Sequence, residues 1–323
     1  MQSKIRADQT DVEYSLADNK PKEPKPKKFI NRKKLWLLPL ILPISIWLFI
    51  FLVLPYINLF SYSFWKPGPF DVIKEFTLEN YTKFFTSQSS ANPPFYILLD
   101  TLQLALTVTF FSILFSLPLA YFIRFKVTKY KQLLYTLVII PLWVSYIVRA
   151  YSWKIILGSN GILNTFLIWL GIVDQPLDFL LYSEVSVTIA MIHIYMPFVL
   201  MPIYTSLEQI NMNLVEASRD LGGGRVKTFF HIIFPLALPG IIAGGTFAFV
   251  LSMGDFLAPS LLGGAESSTM ISNVMQMQFG TSNNWPYGSA MGIIILLLVL
   301  VILKFTGSAE KKYSTLETVD KRK

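Results

Sequence analysis

Apolar residues in this 323-residue chain fall in long uncharged runs rather than in the alternation of a half-buried strand or the single stripe of a soluble helix. An α-helix needs about 20 such residues to cross the roughly 30 Å hydrocarbon core of a bilayer. Residues 35–60, 101–123 and 132–148 are uncharged throughout, 185–207 is interrupted by His193 alone, and 232–254 and 287–303 are again free of charge. These runs predict an all-α polytopic membrane protein with six transmembrane helices. Residues 155–173 are also apolar, but Gly158, Asn160, Gly161 and Asn164 break the run. That stretch is expected to form a short helix at the membrane surface. Pro43, Pro55, Pro118, Pro141, Pro197, Pro202 and Pro239 lie inside the runs and predict bent helices, since each removes a backbone hydrogen bond.

Composition supports the same class. Hydrophobic residues make up 53% of the chain and charged ones 15%, against about 25% charged in an ordinary soluble domain. A soluble enzyme, a disordered protein and, with no cysteine, a disulfide scaffold are excluded. The net charge of +8 could suit nucleic acid, but its placement follows membrane topology instead. With the N-terminus inside, 23 Lys and Arg fall on cytoplasmic segments; Lys66, Lys74, Lys83, Arg149 and Lys154 fall on the other side. Both termini are therefore expected in the cytoplasm.

Residues 1–34 hold 10 Lys/Arg and 5 Asp/Glu, are rich in Lys and Pro, and are expected to form a disordered basic tail near anionic headgroups. A cleaved signal peptide fits less well, because the apolar run that follows exceeds the usual 7–15 residues or so. The first span is expected to stay uncleaved. Residues 307–323 are expected to form a second cytoplasmic tail, leaving 35–306 as the membrane domain, with its core at about 97–305.

The longest internal cytoplasmic segment is predicted at 208–239. Leu207, Ile210, Leu214, Ala217, Ser218 and Leu221 recur at spacings of three and four, as in an amphipathic helix. Gly222, Gly223 and Gly224 then end it, and a second helical pattern runs from Val226 to Phe234, before Pro235. Such an apolar helix–turn–helix must bury its stripe against its own membrane domain or against a separate soluble protein.

Within it, Glu216, Ala217 and Ser218 are followed after three residues by Gly222, and after nine more by Ile232, a free position, Phe234 and Pro235. This pattern resembles the EAA loop of ABC-importer permeases, with Ser218 in place of the second alanine and Phe234 in place of leucine. Residues 77–85, 141–164, 195–210 and 253–264 are further similar to the permease subunits of spermidine/putrescine importers, and the resemblance covers residues 35–306. Importers of thiamine, ferric iron and other small solutes share much of it.

The resemblance implies a type I importer permease of the bacterial inner membrane, itself not an enzyme and without a cofactor. Its implied partners are two copies of an ATPase subunit, a second homologous permease, an extracytoplasmic solute-binding protein and the lipid bilayer. Glu216, Ala217 and Gly222 are implied to dock with the ATPase, flanked by Arg219 and Asp220. The segment 222–228 is no phosphate loop, because Val226 stands where a Walker motif requires glycine before its lysine.

Asp255 interrupts the fifth span, where an ionised carboxylate costs about 2.5–3.5 kcal/mol, and such residues usually face a cavity. Asp100 and Glu184 fall at the outer ends of the second and fourth spans. With Trp143, Tyr146, Tyr151 and Trp153, these carboxylates would suit a polyammonium ion through ion pairing and cation–π contact. The same aromatics would equally form an interfacial belt, and Asp255 a cap at a helix break before Pro259. His193 and His231 are isolated and lack metal-ligand spacing. His193 is expected to be a packed hydrogen-bonding residue and His231 part of the docking surface. A secondary transporter would need repeated halves and deep ion-pairing groups, and a membrane enzyme a metal or nucleophile set; neither pattern is found.

Overall fold

The computed structural model describes residues 38–68, 71–86, 93–264 and 269–320. The basic tail at 1–34 and the opening of the first apolar run lie outside them. Two compact units divide between Tyr56 and Ile57.

Helix α1 (Leu38–Leu48) leads through a π-helical turn (Phe49–Val53) into α2 (Leu54–Ser63). Every residue from 41 to 58 is exposed, as lipid rather than water allows for so apolar a helix. The wide turn has a local cause. Pro55 has no N–H to give, and the N–H of Leu54 reaches back five residues to the Phe49 carbonyl. A two-stranded hairpin follows, β1 (Lys66–Pro67) antiparallel to β2 (Val72–Ile73), and then α3 (Glu79–Thr86). Asn80, 1% exposed, fastens α3 by donating to the carbonyls of Ser63 at 3.0 Å and Trp65 at 2.8 Å.

The long helices are α4 (Pro94–Phe125), α8 (Glu184–Gln209), α11 (Phe234–Gly254) and α14 (Trp285–Asp320). Between α4 and α8 lie α5 (Lys131–Ile139), a 3-10 turn (Ile140–Trp143), α6 (Tyr146–Leu157), α7 (Ile162–Trp169) and a second 3-10 turn (Asp178–Leu180). Among the described residues five helical segments are long and apolar enough to cross a membrane, and six if the bent pair Lys131–Trp143 and Tyr146–Trp169 is one span.

That pair revises the third run. A continuous helix was expected over 132–148, with a separate surface helix over 155–173. Instead the chain extends at Val144 (ψ 136°) and Ser145 (ψ 140°) and turns through 96°. Pro141 is the second residue of the 3-10 turn just before the break. Helix resumes at Tyr146, so the expected surface helix, as far as Trp169, is part of the second limb of the broken span. Residues 307–320 likewise continue α14 without a break.

Helix α8 forms the centre of the core, burying Val187, Ala190, Ile194, Leu200, Ile203 and Leu207. It packs closely on α11 because α11 lacks side chains where the two meet. A Cβ at Gly240 would collide with the Pro202 carbonyl, and one at Gly244 would stand 2.7 Å from the Val199 carbonyl. Two glycines four apart on one helix face let membrane helices approach to backbone contact. A second apolar cluster gathers Phe84, Leu98, Phe249, Met253, Ile271 and Met291 from α3, α4, α11, α13 (Ile271–Phe279) and α14.

Candidate functional site

The residues singled out from the sequence fall in two places. The first is the segment between α8 and α11. Helix α8 ends at Gln209, Ile210 is extended (ψ 121°), and Asn211 caps α9 (Met212–Asp220), its side chain accepting from the Asn213 N–H at 3.0 Å. The end of α9 is closed twice. The Gly222 N–H donates to the Arg219 carbonyl at 2.9 Å and the Gly223 N–H to the Ser218 carbonyl at 2.8 Å. This closure requires the residue after the cap to be left-handed, and Gly222 has φ +79°. The returning limb, α10 (Arg225–Thr228), is tied to α9 by the Ser218 and Thr228 hydroxyls, 3.0 Å apart.

Glu216, Ala217, Arg219, Asp220 and Gly222 all lie on the exposed side of α9 and its turn. Among the described residues none gives the side chains of Glu216, Arg219 or Asp220 a hydrogen bond or an ion pair. The expected apolar stripe is corrected. Leu207 and Ile210 are buried, but they precede the break; Leu221 is 89% exposed, and the residue that anchors α9 is Val215, 1% exposed. The bend at Ile210–Asn211 rotates the face by about one residue. The second helix does not stop at Pro235 either. It runs on through a π-helical turn (Phe229–Ile233) into α11, with Phe234 reaching back to the Phe229 carbonyl as Leu54 does before Pro55. His231 lies in this turn, its Nδ1 3.0 Å from the Lys227 carbonyl.

The second place is the break after α11. Asp255, 7% exposed, is extended (ψ 121°) between Gly254 and α12 (Leu257–Leu262). Oδ1 accepts from the N–H groups of Leu257 at 2.9 Å and Ala258 at 3.2 Å. Oδ2 accepts from the Tyr195 hydroxyl at 2.6 Å and from the Tyr146 hydroxyl. Its own carbonyl accepts from the Ser272 hydroxyl at 2.6 Å. Its carboxylate thus joins α6, α8 and α12, with acceptor capacity used within the chain, and its carbonyl adds α13.

Tyr146 and Asp255 are brought together; the other expected members of that set are not. Trp153 donates from Nε1 to His193 Nδ1 at 3.1 Å, so His193 is the accepting partner there. Trp143 is 89% exposed, and Glu184 is exposed in the first turn of α8, beside a box of hydrogen bonds between Ser183 and Ser186. Asp100 is exposed. The ring faces of Tyr146 and Tyr151 already face cations of this chain, Arg149 at 5.9 Å and Lys154 at 5.7 Å. Arg149, assigned from the sequence to an outer loop, donates to the Ile194 carbonyl within α8 at 3.2 Å.

Tyr195 was not singled out from the sequence. Its signal was there: a tyrosine on the buried face of a span needs a partner for its hydroxyl. Gly240 and Gly244 were legible by their spacing and were also passed over.

Residues 112–313 match the family described as "Binding-protein-dependent transport system inner membrane component". The chain is 36% identical over 259 residues to the spermidine/putrescine transport system permease protein PotB of Escherichia coli (strain K12), covering 80% of this chain and 91% of that one. It is 34% identical over 246 residues to the inner membrane ABC transporter permease protein YdcU of the same strain, covering 72% and 76%. In three dimensions it resembles a chain of the bacterial alginate ABC transporter in complex with a pentasaccharide-bound periplasmic protein. That match has a TM-score of 0.74 at 22% identity and covers 88% of this chain and 98% of that one.

Proposed function

The chain belongs to the family of inner membrane components of binding-protein-dependent transport systems, and on that premise we propose that it carries polyamines of the spermidine/putrescine class. It is a multi-pass permease subunit of an ABC importer, a transport component rather than an enzyme, working with an ATPase and a solute-binding protein. The observation that carries the importer reading to particular residues is the open face of α9. A rigid helix, closed at Gly222 and anchored by Val215, presents Glu216, Ala217, Arg219 and Asp220 without internal partners. This is the surface proposed to dock with the ATPase.

In this reading α9 faces the cytoplasm together with both chain termini, as the charge distribution favours. Two ATPase copies serve this permease and a second, homologous one. Closure of the ATPase pair on ATP pushes α9, and α8 and α11 carry the push into the membrane. The Asp255 joint lies where the far end of α11 meets the middle of α8, α6 and α12. Asp255, Tyr146 and Trp153 hold the shape of the pathway, while Glu184 and Trp143 are left on exposed surface for solute. Polyamine over another solute is supported by 36% identity extending across 80% of the chain.

The test is uptake of labelled spermidine into vesicles holding the assembled importer, ATP inside and loaded binding protein outside. ATP-dependent uptake, competed by putrescine, supports the reading. Hydrolysis stimulated by another loaded binding protein, with no spermidine uptake, would overturn the polyamine assignment and leave the importer reading standing.

A further inference from the structure

The last two turns of α4 grip both feet of the segment that carries α9. At the outgoing foot, Arg124 donates from Nε to the Leu207 carbonyl at 3.1 Å, and from Nη2 to the carbonyls of Glu208 and Ile210, each at 3.4 Å. Those carbonyls belong to the open end of α8. No glycine follows Gln209 to fold the chain back on itself, so the terminal acceptors need a donor from elsewhere, and a cation suits the negative end of a helix. Lys131 adds an ion pair to Glu208 at 3.5 Å, and Tyr135 stacks on Tyr204 with centroids 4.4 Å apart. At the returning foot Tyr121, one turn before Arg124, meets the ring of Phe229 edge-on at 5.5 Å.

Between the feet, the Ser218–Thr228 link and the double closure at Gly222 make α9 and α10 a stiff unit. The joint is Ile210–Asn211, where extended backbone separates α8 from α9. Arg124 holds that joint from the side.

We propose that Arg124 is a positioning residue of the transport cycle: by clamping the end of α8 it makes movement of α9 pass into α4 and α8 instead of being absorbed at the joint. This rests on the reading of α9 as the ATPase-docking helix. A guanidinium fork is needed because the three carbonyls span four residues, and a lysine ammonium is a single point charge.

The experiment uses the assembled importer in vesicles and compares solute taken up per ATP hydrolysed for wild type, R124Q and R124K. A clamp of charge-assisted bonds predicts that R124Q keeps its ATPase and hydrolyses at a rate within about twofold of wild type, but takes up about tenfold less solute per ATP, with R124K intermediate. Spin labels at Thr128→Cys and Asn213→Cys, unique thiols in a cysteine-free chain, report the joint directly. Their distance distribution broadens in R124Q. Equal uptake per ATP in R124Q and wild type, or an unchanged distance distribution, overturns the proposal. Should R124Q fail to insert, R124K decides: a lowered ratio supports the clamp and an unchanged one overturns it. A wild-type preparation with no associated ATPase overturns the importer reading itself, a separate outcome.

Discussion

The Ser218 Oγ lies 3.0 Å from the Thr228 Oγ1, joining the outgoing and returning limbs of the segment that carries α9. Thr228 is 2% exposed and Ser218 half-buried, so the bond is partly shielded from water, and alanine at 218, as in the family pattern, could not form it. Replacing Ser218 by alanine is expected to lower the local stability of the segment by about 1 kcal/mol without stopping transport. Hydrogen exchange at the Gly223 and Thr228 amides would register it as faster opening in the variant; unchanged exchange would show that the bond contributes nothing.

Gly222 makes a sharper test, because its conformation and its surroundings act separately. Its φ of +79° disfavours any side chain, yet no atom stands within 4 Å of an added Cβ. Gly222→Ala should therefore cost about 1 kcal/mol of backbone strain and leave the protein inserted and active. Gly222→Asp adds a charge to the proposed docking face and is expected to abolish co-purification with the ATPase while the chain still inserts. Pull-down of the ATPase with each variant separates the two effects.

At Asp255 the outcome depends on what replaces the carboxylate. Asparagine keeps an acceptor for Leu257 and Ala258, and its amide can donate to tyrosine hydroxyls that rotate to accept. Alanine strands the donors, at about 1–3 kcal/mol for each one left buried. Thermal unfolding in detergent should show Asp255→Ala far less stable than Asp255→Asn, with Tyr195→Phe between them. Equal melting of Asp255→Ala and wild type would mean that the joint does not hold α6, α8 and α12 together.

The contact between α8 and α11 predicts intolerance to one methyl group. Gly240→Ala and Gly244→Ala each drive a Cβ into backbone of the other helix and should cost about 1–3 kcal/mol and folded yield. Gly254→Ala, where the space is open, should be neutral. Yield of monodisperse protein after extraction compares the three.

Apolar run length and one motif made the helical membrane architecture and the helical segment between α8 and α11 legible in the sequence. They are local properties, readable a few residues at a time. The Asp255 joint was not, because its partners Tyr146 and Tyr195 are 109 and 60 residues away and apolar context alone does not pair them. The break at Val144–Ser145 was hidden in an uninterrupted apolar run, where a proline-containing turn alters direction without altering hydropathy. The face of α9 was misjudged because its stripe was continued across Ile210–Asn211, where the helix stops. The role of Arg124 was invisible for the same reason as the joint: it caps a helix 83 residues further along the chain.

The central claim is that the open face of α9 receives the ATPase. The chain has no cysteine, so Ala217→Cys places a single thiol on that face. Maleimide labelling of this thiol, with and without the ATPase subunit bound, tests the claim most directly. Rapid labelling of the free permease and at least about tenfold protection in the complex is the predicted result, since a docked interface core excludes reagent and water. Equal labelling in both states, with the ATPase shown to be bound, would contradict it.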